Sequence, residues 1–508
     1  MLRTIRRIDW LGLLFTRSTW LSLVSVLALC ILVGLLGGWL VATAGPFITA
    51  ALVVGIIGGL WMLRDIEVGY WALVAVICLL PFGKLPFDIG FKPSFLDLVM
   101  GTLFVVWLME LLLGSSQDQA EELSGLPMGE RQTPGQSGAS QFTGTWLGLP
   151  IFVFMLLAIM AFVAGLAHAP LTALVARHFA EVILSIVLFY IVVNTVRTQN
   201  QLARLARAII VAGFVTSLVG ILLYIVPDDT SINALSALGR FDYPAGTGVL
   251  RYIRDDPSLP QRATATSVDP NVLGGLLIMI GGLTAPQLFA ERPLFSRRLV
   301  VLFTGAMGLC LLLTFSRGSF GGLAVALAAL SVVRYRKLGL LILVVLAVLW
   351  FAPWTQGYVS HALEGLRGED LATQMRFGEY RDALTLIQRY PILGVGFAGT
   401  PDIDTYISVA NVYLLMAVEM GLVGLAAFLL VIAVLFIQAI RVWRIVPRDS
   451  QLEAIWYGFH TALVGALVGG VLDHYFFNLD FHHSVALFWL FVGLAVVASR
   501  LVIARAAR

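Results

Sequence analysis

The sequence predicts an all-α fold: a polytopic membrane helix bundle of about fourteen transmembrane helices, with two extracytoplasmic loops that carry short helices. Three observations lead there. Of 508 residues, 59% are hydrophobic and 12% charged, and the mean hydropathy is +0.91; a soluble chain has nowhere to bury so much apolar surface. The apolar residues are gathered into runs of about membrane-spanning length. The lysines and arginines collect in every second short connection, which orients the bundle.

The N-terminal MLRTIRRIDW is basic, and the apolar run after it ends near Ala42-Thr43-Ala44, small residues like those at signal cleavage sites. That run is longer than a signal core and two more follow at once, so an uncleaved first span is expected. The spans fall at about 21–41, 46–63, 68–82, 95–114, 148–167, 178–195, 205–226, 270–290, 299–315, 319–333, 338–353, 409–440, 454–472 and 483–503. Arg3, Arg6, Arg7 and Arg17 precede the first. Arg197, Arg204 and Arg207, then Arg292, Arg297 and Arg298, then Arg334, Arg336 and Lys337, then Arg441, Arg444 and Arg448 lie in later connections, and Arg500, Arg505 and Arg508 at the end. This span count puts all of them on one side, the cytoplasm, with both termini.

Three regions follow. Residues 1–114 hold spans one to four, 115–147 a polar Gly-, Ser- and Gln-rich disordered cytoplasmic linker, and 148–508 the membrane core with extracytoplasmic loops 227–269 and 354–408. Those loops carry six acids against four bases and seven against four, as expected outside. No internal repeat is visible, which argues against a repeat-built transporter. The three cysteines, Cys30, Cys78 and Cys310, sit in apolar spans, and no CxxC or Cys/His cluster suggests a disulfide framework or zinc. No nucleic-acid partner is expected.

Chemistry is expected where polar residues meet the outer membrane face. In 373–390 the residues Tyr380, Ala383, Leu384 and Ile387 make one apolar helix face, with Arg376 on it one turn earlier. Pro391 ends that helix, Gly394 and Gly396 allow a tight turn, and a span with Glu419 inside begins near Val409. Arg317, in Thr314-Phe-Ser316-Arg317-Gly318-Ser319, sits at the outer interface between two closely joined spans; it either pairs with Glu419 or Glu181 or faces a phosphate. Arg262 precedes Asp269-Pro270-Asn271, where Asp269 or Asn271 caps the next span and Pro270 opens it. Arginine holds phosphate oxygens bidentately and tolerates partial desolvation, so Arg262, Arg317 and Arg376, with Arg381 nearby, suit a lipid diphosphate. Asp473, His474, Asp480 and His483 read as an interfacial belt rather than a metal site, and no metal is expected.

At these residues the chain resembles the O-antigen ligase and O-antigen polymerase superfamily of bacterial membrane glycosyltransferases. The resemblance rests on Thr-x-Ser-Arg-Gly at 314–318, Arg…Asp-Pro-Asn at 262–271, Arg-x-x-x-Tyr…Tyr-Pro-Ile-Leu-Gly-Val-Gly at 376–396, and Asn411-x-Tyr413-Leu414…Glu419-x-Gly421-Leu-x-Gly424. It implies transfer or polymerisation of an undecaprenyl-diphosphate-linked glycan onto a glycan or lipid acceptor, at the outer face of the bacterial cytoplasmic membrane, without metal, cofactor or nucleotide sugar. Arg262, Arg317 and Arg376 match the family's arginines and would hold the diphosphate. Arg381, Asn411, Tyr413 and Glu419 complete the expected substrate contacts.

The family often carries His-Asn where this chain has Ala410-Asn411, and that His is considered the base. Here Glu379, Asp382 or a residue of the 473–483 loop must serve, with Glu379 expected ahead of His474 because it lies one turn from Arg376. Between Gly396 and Asn411 only Asp402 and Asp404 are ionisable. The competing readings are a transporter or flippase of lipid-linked sugars and a non-catalytic scaffold of a polysaccharide assembly machine.

Overall fold

A computed structural model describes residues 19–85, 88, 90–123, 144–352, 356, 359–360, 367, 371–399 and 409–507. The arginines before Thr19, residues 124–143 of the expected linker, His361 and the 400–408 stretch with Asp402 and Asp404 lie outside them.

Sixteen α-helices are described: α1 (Thr19–Ala44), α2 (Pro46–Arg64), α3 (Ile66–Leu79), α4 (Phe95–Leu123), α5 (Gly148–Gly165), α6 (Ala173–Thr195), α7 (Gln199–Ile225), α8 (Asp228–Ser236), α9 (Pro270–Thr284), α10 (Arg297–Leu313), α11 (Arg317–Val333), α12 (Arg336–Phe351), α13 (Leu371–Arg389), α14 (Val412–Trp443), α15 (Gln451–Gly469) and α16 (His482–Ala506). Each apolar run read from the sequence is one of these helices, and the fold is the all-α polytopic membrane bundle expected. Eight are long and apolar enough, by length and composition, to cross a membrane. The two helices outside the apolar runs, α8 and α13, are the short helices of the two long loops. A two-stranded antiparallel ribbon, β1 (Arg251–Tyr252) with β2 (Gln261–Arg262), also lies in the first loop.

The chain divides into two compact units. The first takes in residues 1–70 and 101–142. There α1 and α2 form a hairpin at Gly45, whose positive φ of 83° makes the turn, with Pro46 opening α2. Gly69 of α3 lies against the Leu103 side chain of α4.

The second unit takes in residues 71–100 and 143–508. Its centre is α9, α15 and α16. Within the span window that begins at Pro270, 89% of residues are buried, against 28% in α5. The contrast separates a protein-facing centre from a rim whose exposed leucines and valines are suited to lipid. Around that centre α16 packs on α6, α15 on α9 and α11, α14 on α5, and α13 on α14. Gly322 of α11 permits a backbone-close crossing with α15: an added Cβ would stand 2.8 Å from Gly465 O.

The connections gather at two ends. At one end Lys84 N–H donates to Phe241 O at 2.9 Å, Ala263 N–H to Leu313 O at 2.8 Å, and Val412 N–H to Gly470 O at 2.8 Å. At the other, Arg500 donates to Val193 O and Val196 O at 3.0 and 2.8 Å, and Arg334 pairs with Glu453 and Asp449. The short connections rich in lysine and arginine fall at this second end.

Candidate active site

The site is built from four loops of the first end. The α10–α11 turn comes first. Thr314 turns its hydroxyl back to Leu311 O at 2.6 Å, and Phe315 takes a positive φ of 51°. Ser316 then bonds Ser319 through their hydroxyls at 2.9 Å. The outcome is that Arg317 is the first residue of α11, half-buried, at the mouth of the bundle.

The second part is the run into α9. Asp269, not Asn271, caps the helix, taking hydrogen bonds from Asn271 N and Val272 N at 2.7 and 3.2 Å. Asn271 is thereby left to hold Arg262, whose Nη2 donates to Asn271 Oδ1 and whose Nε donates to Thr314 O, both at 2.8 Å. Arg262 is tied to the same turn that carries Arg317. Burial pushes its pKa down; Asp269, Asp473 and Asp255 act to raise it and Arg317 to lower it, so these groups share one electrostatic neighbourhood.

The third part is α13. Its packed stripe runs through Arg376, Glu379, Tyr380, Ala383 and Leu386, spaced as one helix face. Of the expected face Tyr380, Ala383 and Ile387 are buried or half-buried and Leu384 is the exception, at 51% exposed; Arg381, expected as a substrate contact, is exposed. Glu379 lies half-buried on the packed face. Its Oε2 accepts from Ala410 N at 3.0 Å, so this carboxylate grips the position where a histidine is often found in the resembled family. The Tyr380 hydroxyl reaches Val471 O at 3.3 Å and Ala410 O at 3.4 Å. Asn411 caps α14, accepting from Tyr413 N and Leu414 N, and its Nδ2 donates to Val471 O at 2.9 Å. No side chain among the described residues takes a hydrogen bond from Arg376.

The fourth part is the α15–α16 loop. Tyr475 is buried between α9 and α11, with its hydroxyl 3.4 Å from Ser319 Oγ. That anchors Asp473 and His474 over the arginines. Asp473 is 8% exposed. Burial drives its pKa up to about 7, with Arg376 and Arg262 pulling it down and Asp269 pushing it further up. The Asn478 amide donates to His474 Nδ1 at 2.7 Å, and its orientation follows from Asn478 Oδ1 accepting from Asp480 N at 2.7 Å. The neutral ring then carries its proton on Nε2, which stands 4.0 Å from Asp473 Oδ1. Burial lowers the pKa of His474, against the carboxylates of Glu379, Asp269 and Asp480.

So Arg262, Arg317, Arg376, Glu379 and His474 meet, and Asp473 and Asp269 join them. Asp473 had only its place in the 473–483 loop to mark it; its burial among arginines has no signature in sequence. Tyr413 faces elsewhere: its hydroxyl donates to Leu467 O at 2.8 Å, joining α14 to α15. Glu419 lies deep in α14, with Oε2 buried and taking no hydrogen bond among the described residues. Glu181 bonds Arg177 at 2.7 Å, and Arg177 also meets Asp97 at 3.1 Å. His482 Nδ1 lies 3.3 Å from Glu181. Among the described residues no group of three or more His, Cys, Asp or Glu is placed to hold a metal ion.

Glu419 also marks a break in α14. Gly421 has φ 69° and ψ −179°, which interrupts the helix. The freed backbone groups are met by the Pro391–Gly396 strap: Val395 N–H donates to Val418 O at 2.8 Å, Gly396 N–H to Glu419 O at 3.0 Å, and Leu422 N–H to Pro391 O at 2.8 Å. Gly394 has the positive φ the strap needs, and a Cβ there would stand 2.3 Å from Val418 O. The glycines of the Gly-Val-Gly and Glu-x-Gly motifs are thus two halves of one joint, which ties the chain after α13 to the break in α14.

Fold and site together define a multi-pass α-helical membrane protein with an arginine-lined polar site at one end of the bundle. The family described as O-antigen ligase matches residues 302–429, and over that stretch the resemblance read from the motifs is borne out. That stretch runs from α10 past the break in α14 and includes Arg317, Arg376, Glu379 and Asn411, whereas Arg262, Asp473 and His474 are brought to it by the fold. The match supports an O-antigen ligase-type role in polysaccharide assembly. No curated protein matches the chain.

Proposed function

We propose that the protein transfers or polymerises an undecaprenyl-diphosphate-linked glycan at the outer face of the bacterial cytoplasmic membrane, with both termini in the cytoplasm. The observation that carries this reading is the convergence of Arg262, Arg317 and Arg376 beside a buried carboxyl, Asp473, whose pKa is about 7. Arginine is always charged and planar, and forks onto phosphate oxygens. Two or three such groups in a half-buried setting stabilise negative charge developing on a departing diphosphate more than they would in water.

In the step itself, the acceptor hydroxyl oxygen attacks the anomeric carbon from the side opposite the diphosphate. The new C–O bond forms as the bond to the diphosphate oxygen breaks. Undecaprenyl diphosphate leaves with the electron pair, and the configuration inverts. The hydroxyl proton goes to Asp473. A base works best with a pKa near the operating pH, and about 7 meets that condition. Glu379 is the less suitable base because it already holds Ala410 N–H; it acts as a positioning residue for the α13–α14 loop. His474 orients that carboxylate: its backbone N–H donates to Asp473 Oδ1 at 2.9 Å, and its ring Nε2 stands 4.0 Å from the same oxygen.

The experiment is transfer of lipid-linked glycan in membranes containing the full chain, with protein amount controlled. Arg317→Ala and Asp473→Asn are each expected to abolish most transfer while the protein accumulates normally. Full activity in Arg317→Ala would overturn the reading.

A further inference from the structure

We propose that Arg251 is a fourth phosphate-binding arginine, gripping the diphosphate jointly with Arg262 from the β1–β2 ribbon. The inference deepens the glycosyl-transfer reading and rests on it.

In the ribbon Arg251 stands directly opposite Arg262, and Tyr252 opposite Gln261. Residues directly opposite on antiparallel strands send their side chains to the same face, and like charges placed so repel. The ribbon's other face is anchored separately, through the Tyr252 hydroxyl on Asp228 at 3.1 Å. The arginine face is turned to the α10–α11 turn, since Arg262 reaches Thr314 O. Arg251 is therefore on the side that carries Arg317.

Arg251 Nε is buried, and no atom among the described residues accepts from it. An unmet donor at a buried position is costly. A like-charge neighbour directly opposite adds to that cost. The nearby acids are otherwise placed: Asp269 caps α9 and Asp228 takes the Tyr252 hydroxyl, while Asp255 acts on Arg262. Arg262 spends its Nε and one Nη2 proton on protein acceptors. A diphosphate esterified at both ends still carries four non-bridging oxygens on its two phosphate groups, more than one half-committed guanidinium satisfies. Arg251, with its unmet Nε–H, supplies the missing donors and the extra charge. The ligand class is a diphosphate, either on a polyprenyl lipid or free.

The test uses the purified full chain in nanodiscs, with inorganic pyrophosphate and undecaprenyl diphosphate as separate probes. Arg251→Ala is expected to weaken binding of both by about tenfold, the worth of a charge-assisted hydrogen bond. It should leave the unliganded melting temperature unchanged or raised, because the repulsion with Arg262 is gone. Arg251→Lys, which keeps charge without the fork, should bind with intermediate affinity, and it serves if the alanine variant fails to accumulate. Loss of affinity for pyrophosphate alone would overturn the proposal, as would a lowered melting temperature with unchanged affinity for both probes. Arg317→Ala is the control: if it loses binding while the Arg251 variants keep theirs, Arg251 is outside the site and the glycosyl-transfer reading survives. If neither arginine matters, the diphosphate reading falls too.

Discussion

At the scale of single residues, the site's character comes from charge placed where water is scarce. Arg317→Lys keeps the charge but loses the planar fork, so it should insert and accumulate yet lose most glycan transfer; near-normal turnover in that variant would show that a point charge suffices. Asp473 has a sign that can be worked out. Its carboxyl is held up to about 7 from an ordinary 3.8, chiefly by burial. Below about pH 4 it is protonated folded or unfolded and has no effect. Between there and pH 7 the unfolded chain releases the proton first, so stability falls as pH rises, and the cost persists above 7. Asp473→Asn should therefore raise the melting temperature at pH 8 while having little effect at pH 4. Transfer by the wild type should rise with pH through about 7 and level off, an acid limb that the Asn variant lacks. Glu379→Gln keeps a carbonyl oxygen for the Ala410 N–H but removes the charge that strengthens that hydrogen bond, and should lower transfer several-fold without moving that limb; a moved limb would make Glu379 the base after all.

Among the elements, the break in α14 determines the geometry of the site. Gly421, Gly394 and Gly396 all take positive φ, and a Cβ on Gly421 would stand 2.1 Å from Ile392 O. Gly421→Ala adds backbone strain on the order of 1–3 kcal/mol and a collision with backbone that cannot swing away. The expected result is poor accumulation or a markedly lowered melting temperature. Gly378 offers the contrast. It lies in α13 with nothing within 4 Å of an added Cβ, so Gly378→Ala should stabilise by roughly 0.5–1 kcal/mol through helix propensity alone. Equal effects from the two substitutions would mean the strap and the break are not coupled. The joint matters for function because it determines how Arg376 and Glu379, near the start of α13's packed stripe, lie over Ala410 and Asn411.

For the whole molecule, the question is sidedness. The turns carrying Arg262, Arg317, Ala410 and Asp473 are bonded to one another at one end, and the connections rich in arginine meet at the other. Positive charge marks the cytoplasmic side. Reporter fusions after Gly239 should report the outside, and fusions after Arg336 and at the C-terminus the cytoplasm. A C-terminus found outside would break the even crossing count and, with it, the placement of the arginine site on the outer face.

The sequence by itself determined the class, the helices and the arginines. Apolar runs survive any packing, because a backbone in lipid must meet its own hydrogen bonds and so becomes helix; all the runs from 21–41 to 483–503 are helices. Arg262, Arg317 and Arg376 were legible because arginine beside the membrane is costly without a purpose. What only the tertiary structure decided is which groups meet. The helical period put Leu384 on the packed face of α13 with Tyr380, Ala383 and Ile387, yet Leu384 is exposed and Leu386 is buried in its stead. Asp473 is nearly a hundred residues from Arg376 and looked like one polar residue among several in a loop. Its burial, its pKa and its arginine neighbours are all consequences of Tyr475 being anchored between α9 and α11. Burial and long-range charge are properties of the assembled neighbourhood, and no local spacing in the chain encodes them.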